Sequence, residues 1–161
     1  MLTVKYFAYG SNIDIERLRS RVQLFGEPVT QGEPYSLENY TLTFNAGMRF
    51  STFAFANISP KKGAKVEGIL YDLSPAQFDR LDNYELLYEK QYFQIDEDTI
   101  GCVYIAKEMS TLEKEYKPDL NYLNIIIDGC LETGLKSTYN KLVRFKLANY
   151  NLKKKSKHKI K

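Results

Sequence analysis

Near the start of the chain a short apolar run meets a glycine and passes into a helical pattern. Val4 to Ala8 is rich in β-formers and predicts a strand. The run breaks at Gly10, and from Ile13 to Val22 the apolar residues Ile15, Leu18 and Val22 recur at helical spacing. A strand that turns through a glycine into a helix leaves several backbone N–H groups unpaired at the turn. With the positive end of the helix dipole behind them, those donors make a ready anion or oxyanion site. The same spacing also fits a plain tight turn capped by Ser11 and Asp14, an S-x-x-D capping box. Gly10 itself marks either a positive φ or a point of close approach by a ligand.

At 161 residues the chain is long enough for one domain with a real core. We assign that domain to residues 1–150 and read residues 151–161 as a disordered, lysine-rich tail. The net charge of +3 is misleading, because six of the 23 basic residues are the lysines at 153, 154, 155, 157, 159 and 161. The remaining 17 face 20 acidic residues, so the body is acidic and does not resemble a nucleic-acid-binding face. No apolar run approaches membrane-spanning length and no signal-peptide region precedes the first strand, so a cytoplasmic protein with no membrane partner is expected.

Along the chain, residues 25–36 hold Gly26, Pro28, Gly32 and Pro34 and read as a loop. Tyr40, Leu42 and Phe44 alternate with threonines as a half-buried strand, and Phe53, Phe55 and Ile58 mark another, closed by a turn at Pro60-Lys61-Lys62-Gly63. Val66 to Leu73 predicts a further strand, with Gly68 as a bulge or close-approach point. Ser74-Pro75-Ala76-Gln77 carries the full start signal of a helix, whose buried face holds Phe78 and Leu81. Tyr92 to Ile95 and Gly101 to Ile105 predict a hairpin across Asp96-Glu97-Asp98. A helix from about Asp119 carries Leu120, Leu123, Ile127 and Leu131 on one face and stops near Gly134, and a last helix holds Tyr139, Leu142 and Phe145. Strands interrupted by short helices place the fold in the mixed α/β (α+β) class, with a small closed mixed sheet flanked by helices.

The side-chain inventory narrows the chemistry. The sole histidine is His158, in the tail, so Ser-His and Cys-His catalysis and imidazole-bound metals have no place in the body. Two cysteines, Cys102 and Cys130, are too few for a disulfide scaffold or a multi-cysteine zinc site, and read as small buried hydrophobes. Carboxylates, tyrosines, lysines and backbone donors remain. Glu85 lies between Tyr84 and Leu86-Leu87-Tyr88, where apolar neighbours would desolvate it and raise its pKa toward that of a neutral-pH base. A solvated glutamate at a helix end fits the same string.

Tyr6-Phe7-Ala8-Tyr9-Gly10-Ser11-Asn12 resembles the F-A-Y-G-S-N loop of the γ-glutamylcyclotransferases. Leu81-Asp82-Asn83-Tyr84-Glu85 is similar to that family's Leu-Asp-x-x-Glu string, and Val66 to Tyr71 to the strand before it. Tyr104, Lys117-Pro118, Tyr122-Leu123 and Gly134-Leu135 also have counterparts, so the resemblance spans roughly residues 3–145 in order. It departs at Leu86, where the family usually has glycine, and in the two-residue link from Glu85 to Tyr88. Both lie where the pocket rim is expected, which bears on substrate more than on reaction.

The resemblance implies a small closed sheet and the cyclisation of a γ-glutamyl compound into 5-oxoproline with release of an amino acid or amine. It assigns Glu85 as general acid/base and Tyr6, Phe7, Ala8, Tyr9, Gly10, Ser11 and Tyr104 to substrate binding, with no metal and no cofactor. A γ-glutamyl amino acid is the first substrate reading. A γ-glutamylamine, or a non-catalytic binding module of the same fold, are the alternatives. The family also admits a homodimer, for which the sequence shows no interface.

Overall fold

The structure, a computed structural model, describes residues 3–151. Its centre is β1 (Thr3–Ala8), which pairs antiparallel with β3 (Phe55–Asp72) and parallel with β5 (Thr99–Ala106). β2 (Glu33–Ala46) lies outside β3 and β4 (Tyr88–Gln94) outside β5, giving one mixed sheet in the order β2-β3-β1-β5-β4. Flanked by a strand on either side, β1 buries Tyr6, Phe7 and Ala8 in succession, as its unbroken apolar run requires. Four helices flank the sheet: α1 (Ile15–Val22), α2 (Pro75–Asp82), α3 (Leu120–Thr133) and α4 (Lys136–Asn149). Apart from Asn151, which is exposed, the lysine-rich stretch lies outside the described residues.

The mixed sheet with flanking helices is as expected, and its closure has a different physical basis. A flat sheet would separate β2 from β4 by about 19 Å, four strand spacings. Instead Tyr35 of β2 stacks on Phe93 of β4 with ring centroids 5.8 Å apart, and both meet Phe7 of β1 edge-on. The sheet therefore curls until its edges touch through aromatic rings. Among the described residues no backbone ladder joins β2 to β4, so the sheet is open by hydrogen bonding and closed only by side chains.

Gly68, opposite Tyr35 in the β2–β3 ladder, lies under the Phe7 ring. A Cβ there would lie 2.4 Å from the Ala8 carbonyl oxygen and 2.5 Å from the Phe7 ring. Gly68 is thus a close-approach point, the second of its two sequence readings.

Other expectations are corrected. No turn closes a strand at residues 60–63: Glu38 pairs with Lys65 and Tyr40 with Pro60, so Asn39 alone faces four residues of β3. The local cues produce a wide bulge inside one long strand, pinned by the Gly63 N–H donating to Asn39 Oδ1 at 3.1 Å. Pro60 is tolerated because β1 pairs with β3 only from Ile69 onward, so no ladder bond is demanded on that side. The expected loop over residues 25–36 ends earlier, because β2 starts at Glu33. In α3 the buried side is Leu123, Ile126, Ile127 and Cys130, while Leu131 is exposed. The cause is tertiary: Gly129 is held against Ile13 and the Asp14 N–H, which turns that side of α3 inward.

The expected elements around α2 and the hairpin are present. Ser74 and Gln77 form a reciprocal capping box with Pro75 in the first turn, and β4 and β5 pair antiparallel. Among the described residues no helix is long and apolar enough to cross a membrane.

Candidate active site

Between β1 and α1 the chain makes a single 3₁₀ turn, Ser11–Ile13, before the α-helix begins. The expected Ser11–Asp14 capping box is not formed. Asp14 is extended and caps α1 itself, accepting from the Glu16 N–H at 3.0 Å and the Arg17 N–H at 3.3 Å. Tyr71 fixes the turn from below by donating to the Ile13 carbonyl at 3.0 Å, and α3 braces it at Gly129. Held this way, Ser11 and Asn12 are buried. Among the described residues no acceptor meets the backbone N–H of Gly10, Ser11 or Asn12, so the turn keeps its donors free. Gly10 has φ −118°, so a positive φ is not its reason for being glycine. A Cβ at Gly10 would instead stand 3.4 Å from Ala56 Cβ and 3.6 Å from the Tyr122 hydroxyl, in ordinary contact.

A pocket of about 290 Å³ opens over this turn, near the lower end of small-molecule sites. Glu85 enters it from the turn that follows α2, whose end is marked by the Glu85 N–H donating to the Asp82 carbonyl at 3.2 Å. The glutamate is half-buried, and its Oε1 accepts from Asn12 Nδ2 at 3.4 Å. The same amide nitrogen lies 3.0 Å from the Tyr6 hydroxyl. Burial is the main cause that pushes the Glu85 carboxyl up from 4.5 to about 7, with Asp82 adding to it. Arg21 and Arg17 oppose the rise without cancelling it.

Tyrosines build the remaining walls. Tyr9 donates to the Tyr104 carbonyl at 2.6 Å, and the Tyr104 hydroxyl donates to Asp82 Oδ1 at 2.6 Å. Ala56 has both backbone groups taken by phenols, its N–H by Tyr122 at 3.0 Å and its carbonyl by Tyr88 at 2.7 Å. Burial, with the nearby Glu85 carboxyl adding to it, pushes the Tyr6 and Tyr9 phenols well above their usual range, so they serve as neutral hydrogen-bonding groups. Cys102 and Cys130 are buried free thiols pushed up to about 11 and about 12. Glu85 is therefore the pocket group whose charge changes near neutral pH.

Of the residues singled out in the sequence, Glu85, Tyr6, Phe7, Tyr9, Gly10, Ser11 and Tyr104 all line this pocket. Ala8 does not. It is buried in the ladder opposite Ile69, one residue behind the wall. Leu86 lines the mouth and is 74% exposed, so the departure from the family pattern does fall on the rim.

Sequence reasoning missed Asn12, Arg17, Arg21, Ala56, Tyr88 and Tyr122 as members of the wall. The two arginines had a signal, an R-x-x-x-R spacing that puts both on one side of the helix after the loop. Ala56 had none, since only the tertiary fold brings β3 over the turn. Among the described residues no group of His, Cys, Asp or Glu is arranged to hold a metal ion.

A search of curated proteins finds no match. Among solved structures, one described as a gamma-glutamyl cyclotransferase superposes with a TM-score of 0.69 at 23% identity, covering 88% of this chain and 86% of its own. The uncharacterized protein loc79017 from Homo sapiens gives 0.69 at 21% identity, with 89% and 88% covered. YkqA from Bacillus subtilis gives 0.58 at 21% identity, with 86% of this chain and 54% of that one. These likenesses establish the fold. The family model described as "Gamma-glutamyl cyclotransferase, AIG2-like" matches residues 6–124, which run from the first pocket tyrosine to just past Tyr122, and the chain belongs to that family.

Proposed function

We propose that the protein cyclises γ-glutamyl amino acids, releasing 5-oxoproline and the free amino acid, with Glu85 as general acid/base. The observation that carries this reading is a desolvated carboxyl, pushed up to about 7, in the same small pocket as a turn with free N–H donors. A carboxyl so placed is ionised enough at neutral pH to take a proton and basic enough to hold it briefly.

The reaction suits what the pocket contains. Glu85 removes a proton from the substrate α-ammonium, and the freed amine attacks the γ-carbonyl carbon of the same molecule. The new C–N bond closes a five-membered ring and places negative charge on the carbonyl oxygen. Glu85 then returns the proton to the departing nitrogen, the old C–N bond breaks as the carbonyl re-forms, and Glu85 passes the ring nitrogen's second proton to the released amine, which leaves as an ammonium beside the neutral lactam. No water is consumed, and the glutamate ends as it began.

Because attack is intramolecular, positioning replaces a covalent nucleophile. The N–H groups of Gly10, Ser11 and Asn12 supply donors for the oxyanion or the substrate carboxylate. Asn12 ties the parts together, bridging the turn, the Tyr6 hydroxyl and the Glu85 carboxyl. Tyr6, Phe7, Tyr9 and Tyr104 shape the walls around the glutamyl group.

Incubation with a panel of γ-glutamyl amino acids and γ-glutamylamines, read by 5-oxoproline release, tests the reading. Turnover of the amino-acid derivatives supports it. Release only from the amines replaces the substrate class, and binding without release makes the protein a binding module.

A further inference from the structure

Three arginines lie on α1, and the structure uses them differently. Arg19 is fully engaged: its Nε and Nη2 donate to the Val29 carbonyl at 3.1 and 3.0 Å, and its Nη1 to Glu16 at 2.7 Å. Arg17 and Arg21, one turn apart, line the pocket instead. Each makes a single side-chain hydrogen bond, Arg17 Nε to Ser11 Oγ at 3.1 Å and Arg21 Nη1 to Asn12 Oδ1 at 3.2 Å. A guanidinium has five N–H donors, so most of both forks is unused. Among the described residues neither arginine has a carboxylate within 4.0 Å.

Two half-buried, adjacent cations that share one more distant carboxyl and, among the described residues, have none in salt-bridge contact are unfavourable unless a ligand completes them. Arg17, Arg21 and Glu85 are the charged residues of the pocket wall, two cations against one carboxyl. A γ-glutamyl amino acid carries two carboxylates and one ammonium, a net −1 that complements this set. A γ-glutamylamine carries one of each and is net neutral.

Position decides which carboxylate meets which cation. The attacking amine must reach Glu85, and the glutamyl α-carboxylate shares its carbon, so both stay deep beside the turn. The leaving amino acid extends toward the mouth, where Tyr84 and Leu86 are exposed at 52% and 74%. Arg21 is the cation that reaches this side, its guanidinium lying 5.1 Å from the Tyr84 ring centroid. Stacking on the ring and the bond to Asn12 fix the plane of the fork, as bidentate capture of a carboxylate requires.

We infer that Arg21, with Arg17 adding charge, binds the carboxylate of the departing amino acid and so selects γ-glutamyl amino acids over neutral γ-glutamylamines. This rests on the cyclisation reading for its substrate and adds the residue that reads the leaving group.

The test compares γ-glutamyl-alanine with γ-glutamyl-alaninamide, which differ only in that carboxylate, at a pH well above the titration of Glu85. The parent should favour the acid by about tenfold to a hundredfold in kcat/KM, the scale of a charge-assisted hydrogen bond. Arg21→Gln should lose far more activity on the acid than on the amide, and Arg21→Lys should keep part of the preference. Equal handling of both compounds by the parent, or an equal loss on both in Arg21→Gln, overturns the inference. Calorimetric binding of the same two compounds separates it from the cyclisation reading. If no γ-glutamyl compound releases 5-oxoproline, cyclisation fails, yet tighter binding of the acid that vanishes in Arg21→Gln upholds the subsite. No difference in binding removes the subsite as well.

Discussion

Between pH 4.5 and about 7 the Glu85 carboxyl keeps its proton in the folded chain and has lost it in the unfolded one. The folded state binds more protons across that window, so the glutamate's contribution to stability falls as pH rises through it. Glu85→Gln removes this penalty. The variant should gain melting temperature over the parent at pH 8, with the gain shrinking toward pH 4, as thermal unfolding at both values will show. Its 5-oxoproline release should drop by about two to four orders of magnitude, the usual worth of a general base. Near-normal release from the folded variant would falsify the assignment of Glu85. In the parent, kcat/KM should rise through an acid limb near pH 7 as the carboxylate forms. Arg21 is the larger of the two influences holding that carboxyl down, so Arg21→Gln should move the limb to higher pH. An unmoved limb in a pH–rate profile would detach the limb from Glu85. Local cues, a capped helix followed by an apolar-flanked carboxylate, made Glu85 one of two readings, and the resemblance of Leu81-Asp82-Asn83-Tyr84-Glu85 to the family string chose between them. Arg17 and Arg21 resemble ordinary solvated helix charges until the fold places both in the pocket wall, with no carboxylate in salt-bridge contact among the described residues.

Two glycines separate structural from functional need at the level of the element. Gly68 lets β3 run close against the Ala8 carbonyl and the Phe7 ring, and a Cβ there would meet that backbone oxygen at 2.4 Å. Gly68→Ala should therefore cost about 1–3 kcal/mol in denaturant unfolding, the range for overpacking a filled site. Gly10 is different. A Cβ would meet Ala56 and the Tyr122 hydroxyl at ordinary contact distance, inside the pocket wall. Gly10→Ala should leave stability within about 1 kcal/mol of the parent while raising KM, because it narrows the space for substrate. Equal damage to stability at both positions would show that the turn needs glycine for folding. The sequence disclosed the strand–glycine–helix unit and the capping box of α2, where propensity and side-chain chemistry act within a few residues. It mistook the β3 bulge for a turn, because Pro60 and Gly63 carry the same local signal in either setting. Only the pairing of Glu38 with Lys65 and Tyr40 with Pro60 decides between them.

The strands and helices leave open how the sheet's two edges come together, which is a property of the whole molecule. Tyr35 and Phe93 are 58 positions apart in the chain and sit on strands at opposite ends of the sheet order. No periodicity joins residues so distant, so the class of fold was readable while this contact was not. Their stacking, with Phe7 edge-on to both, is the contact that joins the sheet's two edges. If the rings couple the edges, their energies depend on each other. Tyr35→Ala and Phe93→Ala should each destabilise the protein, and the double variant should lose less than the two losses added. The shortfall should be about 0.5–1.5 kcal/mol, the coupling of an aromatic pair. Chemical unfolding of the four proteins closes the cycle. Strict additivity would mean that the edges are held independently, by their own ladders to β3 and β5, and that the curl is set by the twist of the strands alone. Non-additivity would place the closing contact at these two rings, on strands that themselves contribute little to the pocket wall.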